Sequence, residues 1–181
     1  EISTAYDPAY QQLQFHYVKI YRNGKFIDKL DPKKVKLIQR ETSRERFIYD
    51  GAYTAILTLE DVREGDIIDY AYSIQGQNPI FKGKFATSFS LQFHDPLDKL
   101  FTRILLPAGR NLAVKTYGNN IDPAIKTAPV TKQEGAFKTY SWNLVNVPGL
   151  TSDDNVPYWY EPYPFIWASE YKSWKEVNDW A

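Results

Sequence analysis

Two histidines, His16 and His94, are the imidazoles this chain offers for acid–base work. His16 sits in FHYVK, where alternation makes it one residue of a strand face. His94 sits in FHDPL beside Asp95, and a His–Asp neighbour pair is a fragment of a base with its orienting acid. An Asp-Pro step after a strand reads more simply as a turn. The loop TSDDN, 151–155, groups oxygen ligands of the kind calcium takes, but it lacks the glycine and distal glutamate of an EF-hand loop, and a solvated turn is the simpler reading. Two histidines far apart in sequence make a poor zinc set. With 22 Asp and Glu residues, some carboxylate pair arises in any fold. A carboxylate-based hydrolase therefore requires a deep cleft with facing carboxylates, not a count. There is no cysteine, which excludes a thiolate nucleophile, a thiolate metal site and a disulfide within this chain. The isolated glycines of NGK, EGD and KGK lack the spacing of a phosphate-cradling loop. These residues assign no catalytic group, no metal site and no cofactor.

Binding chemistry is better represented. Aromatic residues are 16% of the chain, and four of its five tryptophans fall between Pro157 and Ala181. Aromatics fit a pleated, half-buried sheet, so most are expected in a β-rich core. Exposed rings are the alternative, since a flat ring stacks on a sugar or on a peptide side chain. The candidate binding residues are Trp159, Tyr160, Tyr163, Trp167, Trp174 and Trp180, with a neighbouring domain, a glycan or a peptide as the ligand. Trp159 and Trp167 are expected to clamp the last extended segment onto a sheet.

The elements that would position these rings are strands. LQFHYVKIYRNGKFIDKL holds two apolar-rich runs around Asn23-Gly24, the strongest short signal for a hairpin, because a type I′ turn needs positive φ at both central positions. KVKLIQRET alternates, with Val35 and Leu37 on one side and Lys36 and Arg40 on the other. After the Asp50-Gly51 turn, Tyr53, Ala55, Leu57 and Leu59 share one face, and so do Ile68, Tyr70, Tyr72 and Ile74 beyond the polar break EDVREGD. GKFATSFSLQFHDP, LFTRILLP, LAVKTYG and AFKTYSWNLVNVP complete a set of roughly ten strands. Residues 1–12 read as an extended lead-in. The pattern predicts an all-β antiparallel sandwich over residues 1–165. Residues 166–181 read as a junction and the start of a short helix. Ser173 and Glu176 have capping-box spacing, and Trp174, Val177 and Trp180 recur on one helical face. A helix this short is unstable alone, and it is expected to be the beginning of a longer one.

The 22 basic and 22 acidic residues cancel, which argues against nucleic acid or an anionic membrane as the principal partner. No apolar run approaches the length of a membrane span, so direct insertion is not expected. The chain has no methionine, so it is expected to be a processed product or a piece of something longer.

Three stretches carry a family resemblance. REGDIIDYAYSIQGQNPIFKGKF joins a Gly-Asp turn, an aromatic strand and an Asn-Pro before the next strand. YDPAYQQLQFHYVKIYRNGKFIDKL and VPYWYEPYPFIWASEYKSWKEVNDWA open and close the same pattern. In that order they resemble the β-rich domain that lies immediately N-terminal to transglutaminase-like, papain-related domains in bacterial exported or membrane-linked proteins. The resemblance implies a non-catalytic accessory role, periplasmic or extracellular, with a Cys-His-Asp site in a following domain as the partner in cis.

Overall fold

The computed structural model describes residues 1–39, 51–118, 121–123, 125–152, 155–157 and 160–180. Trp159, Arg40, Asp50 and the Asp153-Asp154 pair lie outside the described residues. Among those described, twelve strands form four three-stranded antiparallel sheets, and one short helix follows them. This is the all-β architecture that the alternating runs predict. The strands divide between two compact units, Glu1–Gly83 and Lys84–Ala181.

In the first unit, β1 (Ile2–Tyr6), β4 (Lys36–Gln39) and β5 (Tyr53–Leu57) make one sheet in the order β1-β5-β4. The second sheet has the order β3-β2-β6, from β2 (Gln12–Arg22), β3 (Lys25–Asp28) and β6 (Ile67–Gln75). Residues 2–6, which read from sequence as a lead-in, pair along their whole length with β5. Alternation sends Ile2 and Leu57 from one sheet and Val18 from the other into a common buried cluster, so the sheets form a sandwich. Each aliphatic side chain buried there contributes roughly 1.5–3 kcal/mol.

Turn chemistry sets the register. Asn23 and Gly24 have φ of 48° and 77°, and Arg22 pairs with Lys25 across them, as the type I′ signal predicts. A β-bulge at His16 shifts the pairing of β2 with β6 between Phe15 and Tyr17. The polar segment before β6 is tied down by Arg22. Its guanidinium donates 2.8 Å and 2.7 Å bonds to the Asp66 carboxylate and a 3.0 Å bond to Asp61. The two bonds to Asp66, with the Arg63 backbone N–H, hold the pKa of Asp66 down to about 2.

In the second unit, β8 (Leu97–Pro107), β10 (Val130–Glu134) and β11 (Phe137–Val147) form a sheet in the order β10-β11-β8. Facing it, β7 (Ala86–Ser90), β9 (Ala113–Tyr117) and β12 (Phe165–Ser169) are ordered β7-β12-β9. Ile104, Trp142 and Leu144 from the first sheet pack with Ile166 and Ala168 from the second. Trp142, the one tryptophan outside the C-terminal stretch, is the large residue of this core. Its ring meets Phe89 edge-on at 4.9 Å, and its indole N–H donates to the Thr127 carbonyl at 2.8 Å, so burial leaves no orphan donor.

Helix α1 (Trp174–Trp180) starts where the capping pattern places it. The Ser173 hydroxyl accepts from the Glu176 N–H at 3.3 Å. The Glu176 carboxylate reaches back to the Lys172 N–H at 3.0 Å, one residue earlier than a capping box requires.

Gly76, directly after β6, combines φ of 111° with a close approach: a Cβ there would meet the Tyr10 carbonyl oxygen at 2.0 Å. Gly24 has positive φ with open space around it. Gly76→Ala is therefore expected to lower unfolding stability by roughly 3 kcal/mol or more, against about 1 kcal/mol for Gly24→Ala, in urea denaturation followed by circular dichroism.

Candidate functional site

Strand β12 lies in the middle of its sheet, paired on one side with β7 and on the other with β9. Its alternation is strict. Ile166 and Ala168 are fully buried, so Phe165 and Trp167 face outward. Register brings Tyr117 of β9 beside Phe165, and Lys115 beside Trp167; Ser90 and Ser88 of β7 stand opposite the same two residues. The outer face is thus a row of rings edged by hydroxyls on one side and an ammonium on the other.

The rings are in contact. Tyr117 stacks on Phe165 at 5.2 Å between centroids, Trp167 meets Tyr117 edge-on at 5.8 Å, and Phe165 and Trp167 are 6.4 Å apart. The Lys115 ammonium lies 4.8 Å from the Tyr117 ring centre, a cation–π distance. Trp167 remains 50% exposed in spite of these neighbours. A shallow groove of about 320 Å³ runs beside the row, lined by Ser88, Ser90, Glu161 and Phe165. That is at the bottom of the range for small-molecule sites, about 300–1,000 Å³.

One ion pair secures this strand. The Glu170 carboxylate, directly after β12, accepts the Phe85 N–H at 2.7 Å and the Arg110 Nε at 2.7 Å, and a second Arg110 nitrogen also bonds it. The Glu170 N–H in turn donates to the Phe85 carbonyl at 3.0 Å. The Arg110 hydrogen bonds hold the Glu170 carboxyl below its ordinary value.

The sequence-derived binding residues do not form one cluster. Trp167 reaches the ring row, but it does not clamp the strand; Ile166 and Ala168 do that. Tyr160 and Tyr163 are half-buried. Trp174 on α1 is 85% exposed, while Trp180 is half-buried with its ring 6.2 Å from that of Tyr171. Sequence reasoning alone misses Tyr117, Phe165 and Lys115. The i, i+2 spacing of Phe165 and Trp167 is a usable signal for the second; nothing local announces that β9 supplies the others.

Elsewhere the chemistry is sparse. His16 Nε2 and Ser73 Oγ lie 2.7 Å apart across β2 and β6, and among the described residues no carboxylate bonds the second ring nitrogen of His16. His94 and Asp95 are both exposed. No group of three or more His, Cys, Asp or Glu residues placed to hold a metal occurs among the described residues. In the first unit a groove of about 350 Å³ is lined by Tyr6, Leu13, Phe15, Leu30, Val35 and Leu37, side chains that offer it no charge.

Residues 1–151 match the model of the family DUF3857, described as a domain of unknown function with a solved structure. The fold recurs in a crystal structure described as that of "a putative protease" from Parabacteroides distasonis ATCC 8503, with a TM-score of 0.76 at 21% sequence identity. The match takes in 95% of this chain and 33% of that one, so this chain spans about a third of the length of that protein. No curated protein matches the chain.

The Glu170 anchor has a pH signature. Because folding lowers its pKa from the ordinary 4.5, its contribution is fully present above that value. It is lost as the pH falls through the lower folded value. Hydrogen exchange at residues 165–169 is expected to be faster in Glu170→Gln than in the wild type at neutral pH, and the difference should shrink as wild-type Glu170 protonates in acid.

Proposed function

Because this chain belongs to the DUF3857 family, and its fold recurs in one third of a longer protein described as "a putative protease", we propose that it is a non-catalytic accessory module. It works beside a transglutaminase-like peptidase domain, in the periplasm or outside the cell, by positioning that domain or recognising its substrate. The observation that carries the reading is the share of the longer chain left over: two thirds of it is available for a catalytic domain that this fold does not include. Two features of the chain support it. There is no cysteine to act as a papain-type nucleophile. Hydrogen bonds hold the carboxyls of Asp61, Asp66, Glu170 and Glu176 below their ordinary values, toward permanent charge. A general acid at neutral pH requires the opposite shift. The exposed Trp174 on α1 gives such a module an apolar contact for a neighbouring domain.

The test is to prepare the longer gene product with and without residues 1–181 and to compare soluble yield and peptide-bond hydrolysis or transamidation. A loss of roughly tenfold or more in either is expected on removal. Equal yield and equal kcat/KM would overturn the reading.

A second reading is favoured by the half-exposed Trp167 in its row with Tyr117 and Phe165: this face binds an extended glycan or peptide. Ring stacking of this kind is worth roughly 0.5–1.5 kcal/mol per pair. Titration with soluble oligosaccharides and peptides should shift the tryptophan fluorescence. Trp167→Ala should weaken binding about tenfold while leaving the denaturation midpoint close to wild type. Unchanged affinity in that variant would exclude the ring row as the site.

A further inference from the structure

Strand β6 is an edge. It pairs with β2 on one side, and no other strand pairs with it among the described residues. Nine residues long, it contains no proline, no glycine and one charge, Asp69. Long, apolar, unguarded edges are what sheet proteins ordinarily avoid or cover. The apolar side chains of β6 are also uncovered. Ile68, Tyr70, Tyr72 and Ile74 alternate onto one face and are between 36% and 46% exposed, although Val18 and Ile20, their neighbours on β2, are fully buried. Tyr70 and Tyr72 stack at 6.4 Å and Tyr72 touches Phe15 at 6.0 Å, so the row is ordered before anything binds to it.

The sequence of this edge specifies its complement. Ile68-Asp69-Tyr70-Ala71-Tyr72-Ser73-Ile74 reads nearly the same in both directions about Ala71. An antiparallel partner strand centred on Ala71 would set Tyr70 opposite Tyr72, Ile68 opposite Ile74, and Asp69 opposite Ser73. Each aromatic meets an aromatic and each aliphatic an aliphatic. The carboxylate meets a hydroxyl that can donate to it, and the two Asp69 side chains stay apart. A two-fold interface needs a patch complementary to itself, and this one is.

We propose that β6 is a homodimerisation edge: two copies of this chain pair β6 to β6, antiparallel and centred on Ala71, joining their β3-β2-β6 sheets into one six-stranded sheet. The open backbone groups of both edges are then satisfied, and eight side chains, four from each copy, form a continuous apolar strip across the joint. The polar face carries two Asp69–Ser73 contacts, each beside a His16 that already bonds Ser73.

The proposal is independent of the accessory role and is tested on the chain itself. Sedimentation over a concentration series is expected to show a species of twice the chain mass. The double variant Tyr70→Lys/Tyr72→Lys places lysine opposite lysine in both central pairs and should weaken association at least tenfold, and Tyr70→Glu/Tyr72→Glu should do the same. Mixing the two should restore the dimer, which also shows that both variants are folded. Since the chain has no cysteine, Ala71→Cys gives a clean probe of register. Mild oxidation should link two copies of that variant through their introduced thiols, whereas Asp69→Cys, whose counterpart is Ser73, should stay unlinked. A monomer at every concentration, no rescue on mixing, or equal crosslinking at positions 69 and 71 would each overturn the proposal.

Discussion

A strand in a two-layer sandwich can bury one face only, and this constraint decides what the surface of the protein offers. In β12 the buried face belongs to Ile166 and Ala168, both fully enclosed. Phe165 and Trp167 have no choice but to point outward. Pairing on both sides removes the freedom to slip, because a shift by one residue would drive Trp167 into the core and expose Ile166. The outward row is therefore held by the inward one. Glu170 completes the hold at the strand end, where its carboxylate joins the Phe85 backbone to the Arg110 guanidinium.

In β6 the same alternation has a different outcome, because β6 is an edge. Val18 and Ile20 on central strand β2 are fully buried, while Tyr70 and Ile68, paired with them on the same face of β6, stay substantially exposed. The core of the first unit thus closes over β2 and thins out over β6. Arg22 keeps the entry to this strand fixed: it sits at the end of β2 and bonds Asp66, the residue just before β6, and Asp61 further upstream. An edge strand anchored at its entry in this way has less freedom to lose when a partner strand pairs with it.

Much of this is readable from sequence where local signals are strong. Asn23-Gly24 places a hairpin because few residue pairs tolerate two positive φ values in succession. Ser173 and Glu176 locate the helix start because a helix must satisfy its first N–H groups. Three strands are not legible as strands. β1 reads as a lead-in, and β10, Val130–Glu134, is exposed throughout and largely polar, so no alternation marks it. β12 is short and sits among prolines and aromatics that resemble a stiff junction. All three are specified by pairing with β5, β11, and β7 with β9, respectively, and pairing of that kind depends on residues outside the strand itself. The ring row shares this origin. Trp167 can be singled out from its own segment, whereas Tyr117 and Lys115 become its neighbours only through the β9–β12 register.

The ionisable groups of the fold indicate what kind of work it suits. Asp66, Asp61 and Glu170 are each surrounded by donors that favour the charged form, and each anchors a segment: the entry to β6 or the exit from β12. Carboxylates held this way are fixed negative charges across the physiological pH range, good for bracing a backbone and poor at giving up or taking a proton. Catalysis by paired carboxylates depends on pulling two pKa values apart so that one group stays protonated, which requires burial without compensating donors. Here each carboxylate has its donors, and polarity is used for rigidity. The surfaces left over are apolar and aromatic, carried on strands whose register is fixed from within. Stacking and apolar contact are the interactions that rows of this kind supply.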